Sequence, residues 1–284
     1  MKRTIAVLLT CHNRVQKTLE CLEALFKSRL PQKLELNVFL VDDGSTDGTC
    51  NAVTKKFPVV NIIHGTGSLY WNQGMRLAWR TAASTSNYDF YLWLNDDTIL
   101  DKNALSELLM TYEEAVAIDN KAVVVTGACR AIINSTQFSY GGRLNNDEPV
   151  IPNGKLQECV FINGNAVLVP NIIFKEIGNL SNDYTHGIGD NDYGLQAINR
   201  GFSCYTTKAF IATCPPHVGP PGWCNPDNNI NRRWQIFHSP LGLNIKEYKL
   251  FRKKFWGKKW IMFVAKAYVR MLFPKLYHKI NLFK

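Results

Sequence analysis

The sequence predicts an α/β protein, a mainly parallel sheet flanked by helices and followed by a helical, basic C-terminal extension. Three observations carry this. Short runs that are apolar on both faces alternate with segments whose apolar residues recur at helical spacing. Clusters of Asp and Asn stand directly after several of those runs. Residues 245–284 hold 12 Lys or Arg and one acid, Glu247, whereas the other 244 residues hold 21 basic and 22 acidic side chains.

TIAVLLT (4–10) reads as a buried strand, and Leu19, Leu22, Leu25 and Phe26 put a helix over about 15–28. LNVFLV (36–41) is a second strand, with a helix over 49–57 after its Asp-Gly-Ser turn. VVNII (59–63), a helix over 72–84, FYLWL (90–94), a helix over 101–117 and AVVVTG (122–127) continue the alternation. Past about residue 130 it weakens into turns and short strands such as CVFINGNAVLVP (159–170). A helix over 193–200, stopped by Gly201, follows the acidic turn GIGDND. There is no internal repeat, low-complexity segment or flexible linker, so one domain over 1–230 with an extension over 231–284 is the simplest partition.

The near-neutral body argues against nucleic-acid binding and directs the basic tail toward an anionic surface. Eight scattered cysteines with no CxxC pair fit a reducing compartment. The apolar run in MKRTIAVLLTCHNR is too short for a signal-peptide core, and no run reaches the ~20 apolar residues that span a bilayer. The expectation is a cytoplasmic protein, soluble or peripheral on the inner face of the membrane.

In a parallel sheet, ligands bind beyond the carboxyl ends of the strands. Thr10 to Arg14, Asp42 with Asp43, and Asn95 to Asp97 all fall there. Asn95 to Asp97 alone also suits the start of the next helix, and Asp42 with Asp43 a turn plus cap. Adjacent carboxylates at the end of a buried strand repel, so a cation is expected beside Asp96 and Asp97. Mg²⁺ or Mn²⁺ bridging them to phosphate is one such cation. His217 lies between proline pairs in CPPHVGPPG; Cys214 precedes it by three, but no second pair completes a zinc site. Asp190, Asn191 and Asp192 fail the EF-hand pattern, with Gly194 and Gly201 at its fifth and twelfth positions, which leaves a helix cap or a general base. There is no GxGxxG after the first strand, no Walker A loop and no GxSxG elbow, and Gly65 to Ser68 reads as a plain turn.

The order of these clusters resembles the family 2 glycosyltransferases over roughly residues 4–220. TIAVLLTCHNR is similar to that family's opening strand, LNVFLVDDGSTDGT to its nucleotide-binding strand and WLNDDT to its D-x-D segment. The stretch from FINGNAVLVP to GIGDNDYGLQAINRGF is similar to its acceptor-side block, and CPPHVG to its late metal-site histidine. The resemblance implies a GT-A fold with a Rossmann-like sheet, a nucleotide-sugar half over 1–127 and an acceptor half over 128–230. It implies Thr10 and Asp43 at the nucleoside, Arg14 near the ring or phosphates, and Asn72, Asp96 and Gly164 among the substrate-binding positions. Asp97 and His217 become ligands of Mn²⁺ or Mg²⁺, Asp190 the base, and Asp192 a residue orienting the loop or a sugar hydroxyl. Three positions depart from the pattern: Asn95 replaces the first D-x-D carboxylate, Gly189 a common Glu, and Trp71 a basic residue.

The implied reaction is inverting, metal-dependent transfer from a nucleoside-diphosphate sugar, dTDP-rhamnose or a UDP-hexose, to a hydroxyl of a glycan or lipid-linked glycan, as in bacterial surface polysaccharide synthesis. In the tail, Arg252, Lys259, Lys266 and Arg270 would form one basic stripe on a helix, suited to an anionic membrane. The alternatives are packing on the body or on a second subunit in a homo-oligomer. Two other functions stay open: a sugar nucleotidyltransferase, which normally has a glycine-rich basic loop where this chain has TCHNRVQKT, and a noncatalytic carbohydrate- or membrane-binding protein.

Overall fold

The computed structural model describes residues 2–217 and 219–276. The chain divides into two compact units, Met1–Ser181 with Gly189–Pro216, and Asn182–Ile188 with His217–Lys284. The second unit thus joins a short stretch just before Asp190 to the residues from His217 onward.

The first unit opens with β1 (Arg3–Cys11), α1 (Val15–Lys27), β2 (Leu34–Asp42), α2 (Thr49–Lys56), β3 (Asn61–His64), α3 (Tyr70–Thr85) and β4 (Phe90–Leu94). It continues with β5 (Ile99–Leu100), α4 (Ala104–Asp119), β6 (Val123–Arg130), β7 (Phe138–Tyr140), β8 (Gln157–Cys159) and β9 (Ala166–Pro170). It ends with α5 (Asn171–Ile177), α6 (Gly189–Asn199) and β10 (Ser203–Thr213). The main sheet runs β3-β2-β1-β4-β9-β6-β10-β5. β3, β2, β1 and β4 are mutually parallel, β6 and β10 are parallel, and β9 runs antiparallel to both β4 and β6. The reversed β9 makes the sheet mixed at its middle.

Alternation along the strands builds two cores, one on each face of the sheet. Ile5, Val7 and Leu9 meet Leu22 and Leu25 of α1 and Leu105 and Leu108 of α4. Ala6 and Leu8 face the layer of Met75, Ala78 and Trp79 of α3 and Tyr193 and Ala197 of α6. Each fully buried Leu, Ile, Val or Met among them contributes about 1.5–3 kcal/mol relative to an exposed one. Trp79 is central, with its ring centroid 4.9 Å from that of Phe174 and 5.4 Å from those of Tyr91, Trp93 and Tyr193. α6 starts at Gly189, earlier than the apolar spacing indicates, so Asp190 and Asp192 occupy its first turn. Carboxylates are favourable there because the unpaired N–H groups leave partial positive charge.

The second unit contains α7 (Ile230–Phe237), α8 (Ile245–Trp256) and α9 (Trp260–Leu272) around Trp223, Phe237, Ile245, Ala267 and Met271. Arg233 holds the end of α9, its Nε donating to the Met271 carbonyl at 2.7 Å and Nη2 to that of Leu272 at 3.3 Å. The expected continuous stripe does not form. Gly257, at φ 49°, ends α8, and a single 3₁₀ turn precedes α9. Arg252 instead covers the rings of Tyr248, Trp256 and Phe263 at 4.9, 4.4 and 4.3 Å, and Arg270 covers Trp223 at 5.0 Å. A guanidinium gains both dispersion and cation–π attraction from an aromatic face, which turns these two charges inward.

Candidate functional site

The carboxyl ends of β1, β2 and β4 bring the candidate residues of the first unit together. After β1, Asn13 donates its backbone N–H to Ser45 Oγ at 2.9 Å and accepts the Thr46 N–H at 2.7 Å. Asp47 accepts the Val15 N–H at 2.9 Å and the Thr49 N–H at 3.1 Å, so one carboxylate caps both α1 and α2. The Thr49 hydroxyl, which also donates to this carboxylate, and then the Val15 N–H hold its pKa below the usual carboxylate range.

Asp43 is buried, and its carboxylate accepts three backbone N–H groups: Gly67 at 2.8 Å, Leu69 at 2.8 Å and Tyr70 at 3.0 Å. The plain turn expected at 65–68 is thus wrapped around Asp43. A Cβ on Gly65 would stand 2.6 Å from Asp43 Oδ1, so the turn needs glycine there to close. Thr10 packs its Oγ1 against Gly74 of α3, where an added Cβ would come within 2.2 Å.

The cation expected beside the paired carboxylates is Arg14. Its Nη1 donates to Asp96 Oδ1 and to Asp97 Oδ2, both at 3.0 Å. Asp96 is buried, with Thr18 Oγ1 3.4 Å from its second oxygen, while Asp97 is partly exposed. Burial pushes the Asp96 carboxyl up to about 6, with Arg14 pulling the other way.

Beyond this pair, two of the departures from the family pattern bond to each other, and Trp71 and Gly189 each pack against an implied site residue. Trp71 Nε1 donates to Asn95 Oδ1 at 2.6 Å. The Trp71 ring occupies the space beside Gly164, where a Cβ would lie 2.3 Å from Cζ2. A Cβ on Gly189 would fall 1.8 Å from Asn72 Oδ1, so the residue before Asp190 has no room for a side chain. Asn72 itself is buried and donates to the Ser181 carbonyl at 2.9 Å. Asp190 accepts the Gly164 N–H on Oδ2 at 3.0 Å and the Asn191 N–H and Nδ2 on Oδ1 at 2.7 and 3.1 Å. Burial raises its pKa, against the pull of those donors. Asp192 is fully buried and accepts from Gln196 one turn later. His217 is exposed and belongs to the second unit.

Residues 6–171 match the model of the family described as glycosyl transferase family 2. The chain belongs to this family. Its fold is the GT-A fold, as solved structures also show. S. aureus TarS 1–349 in complex with UDP aligns at TM-score 0.53 and 15% identity, covering 74% of this chain and 60% of that one. The mannosyltransferase PcManGT from Pyrobaculum calidifontis, in complex with GDP-Man and Mn²⁺, aligns at TM-score 0.55 and 15% identity, covering 93% of this chain and 73% of that one. TarS 1–349 with UDP-GlcNAc aligns at TM-score 0.55 and 13% identity, covering 89% and 73%. A search of curated protein sequences finds no match.

In this family 2 member, no group of three or more His, Cys, Asp and Glu is placed to hold a metal ion among the described residues. The Asp96–Asp97 turn nevertheless fits a hard divalent ion. Its donors are carboxylate oxygens, Asp97 is open to solvent, and a cationic group already bridges the two residues. A site with few protein ligands is the usual arrangement for an ion completed by water and diphosphate oxygens.

Sequence reasoning missed Trp71 and Asn95 as a bonded pair, and Asn191 as a donor to the candidate base. Their signals were present, two departures from a family pattern and an Asn beside an acid, but the partners are set by tertiary contacts.

Proposed function

We propose that this chain is an inverting, metal-dependent glycosyltransferase that moves a sugar from a nucleoside diphosphate, dTDP-rhamnose or a UDP-hexose, to a hydroxyl of a glycan or lipid-linked glycan. The observation that carries the reading is Asp190, a carboxylate held from two sides in the first turn of α6 with acceptor capacity left on Oδ2. Asp190 takes the proton of the acceptor hydroxyl, the acceptor oxygen forms a bond to the anomeric carbon, and the bond from that carbon to the diphosphate oxygen breaks with its electron pair. Asp97 would hold Mn²⁺ or Mg²⁺, which would supply charge neutralisation at the leaving diphosphate. Thr10, Arg14, Asp43, Asn72, Asp96, Gly164 and Asp192 are assigned to binding or shaping the substrate site. The donor class is supported by the nucleotide sugars bound in the structural relatives.

The test is release of nucleoside diphosphate from a panel of dTDP-, UDP- and GDP-sugars, with and without Mn²⁺ or Mg²⁺. Metal-dependent release from one donor, lost in Asp97→Ala and in Asp190→Asn, is expected; substantial transfer by either variant rejects the assigned role. Because the Asp190 pKa is raised, the base is ionised only above the ordinary Asp range of about 4. Activity is therefore expected to fall as pH drops through that raised value, giving an acid limb of kcat/KM that Asp190→Asn lacks.

Peripheral attachment to an anionic membrane belongs to the same reading. Among the described residues no helix is long and apolar enough to cross a membrane. α9 and the residues after it expose Ile261, Met262, Val269, Phe273 and Leu276, with Lys258, Lys259, Lys266 and Lys275 also exposed. Apolar side chains ringed by lysines complement an anionic lipid surface. Salt-sensitive co-sedimentation with phosphatidylglycerol vesicles, lost in Ile261→Glu/Val269→Glu, is expected. Unchanged binding rejects the surface, and a dimer broken by the same variant assigns it to a second copy.

A further inference from the structure

Trp71, in the first turn of α3, and Asn95, in the turn after β4, are 24 residues apart and joined by the bond from Nε1 to Oδ1. A second tie runs parallel to it, because the Asn95 N–H donates to the Asn165 carbonyl at 3.0 Å. The indole edge fills the place of a side chain at Gly164, and the Gly164 N–H points at Asp190 Oδ2. Trp93, fully buried, stands edge-on to Trp71 with centroids 6.3 Å apart, which limits how the indole can tilt.

We propose that Trp71 and Asn95 are positioning residues for Asp190: the hydrogen-bonded indole braces the Gly164 peptide, whose N–H fixes the orientation of the carboxylate that takes the acceptor proton. This rests on Asp190 as the base. It also gives Asn95 a role that a metal ligand would not have, since its Oδ1 faces an N–H donor. Asn95 precedes the Asp96–Asp97 turn directly, so the same short segment borders the candidate ion site and sets the base.

The physical consequence follows from the order of contacts. Removing the acceptor at Asn95 takes away the Nε1–Oδ1 bond that fixes the angle of the half-buried indole. The Gly164 peptide shifts with it and Asp190 loses one of the donors that favour its ionised form. Misplacement of a reacting group by about 1 Å can cost on the order of 10²-fold in rate.

The experiment compares pH profiles of donor turnover in wild type, Asn95→Leu, Asn95→Asp, Trp71→Phe and Asp190→Asn, all full chain. Asn95→Leu and Trp71→Phe are expected to lower kcat about tenfold, move the acid limb to higher pH and leave the donor KM within about twofold. Asn95→Asp keeps an acceptor for Nε1 and is expected to hold the wild-type limb. A limb that stays in place in both Asn95→Leu and Trp71→Phe overturns the proposal, as does a raised donor KM with kcat intact. Activity retained in Asp190→Asn is a separate failure, that of the base assignment itself. If no donor in the panel turns over, the ¹³C carboxyl titration of Asp190, identified by difference from Asp190→Asn, reads the same shift. No upward shift in Asn95→Leu or Trp71→Phe then overturns the proposal.

Discussion

The turn after β4 and the C-terminal extension each concentrate charge of one sign, and they accommodate it in opposite ways. At the turn, one guanidinium from a distant loop bridges two adjacent carboxylates at 3.0 Å. In the extension, Arg252 is spread over aromatic rings, and the lone acid, Glu247, is not used against the lysines. Its two oxygens accept from the Thr185 N–H at 3.0 Å and the Thr185 hydroxyl at 2.6 Å. The difference teaches how each charge can be used. Carboxylates grouped around one partly exposed cation can exchange it for another ion, whereas a basic segment with its acid spent elsewhere keeps its charges for solvent or for an anionic surface.

Removing either arginine tests this contrast. Arg14→Ala is expected to have the larger effect, about 2–3 kcal/mol in urea denaturation, because it leaves buried Asp96 beside Asp97 without compensation; the exposure of Arg14 keeps it below the cost for a fully buried pair. If the turn is an ion site, millimolar Mn²⁺ should stabilise Arg14→Ala more than wild type, and equal stabilisation of both would break the contrast. Arg252→Ala should cost about 1–2 kcal/mol through lost ring contacts and packing, and Arg252→Lys should restore only part of it, because an ammonium lacks the flat face. Full rescue by lysine would mean that charge alone matters there. Glu247→Gln is expected to cost about 1 kcal/mol and to speed amide hydrogen exchange over 182–188, the stretch that Thr185 anchors. An unchanged exchange rate would remove Glu247 from that role.

Much of the fold was legible locally. β1, β2 and β4 are buried on both faces, so their runs stand out as continuous apolar blocks, and the crevice rule located the Asp and Asn clusters at their ends. The reversed β9 was not legible, because a short apolar strand carries no mark of its direction. The tail's helical periodicity runs straight through Gly257, but the positive φ there outweighs the pattern and breaks the helix in two. At the site, Asp43 was visible as a strand-end acid, but its three N–H partners lie 24–27 residues later in a turn with no distinctive composition.

Local composition and periodicity specify the strand runs, the family resemblance, the acidic clusters and the imbalance of charge between body and tail. These are properties of composition and of periods two and 3.6, which act over a few residues. Which group meets which follows from how the elements pack. Arg14 reaches carboxylates 82 and 83 residues away, Trp71 finds Asn95, and Gly189 lacks a side chain because Asn72 occupies its space. Such partners are chosen when strands and helices pack, since a buried polar group must find a hydrogen-bond partner wherever the fold offers one, and that choice is not written in its sequence neighbours.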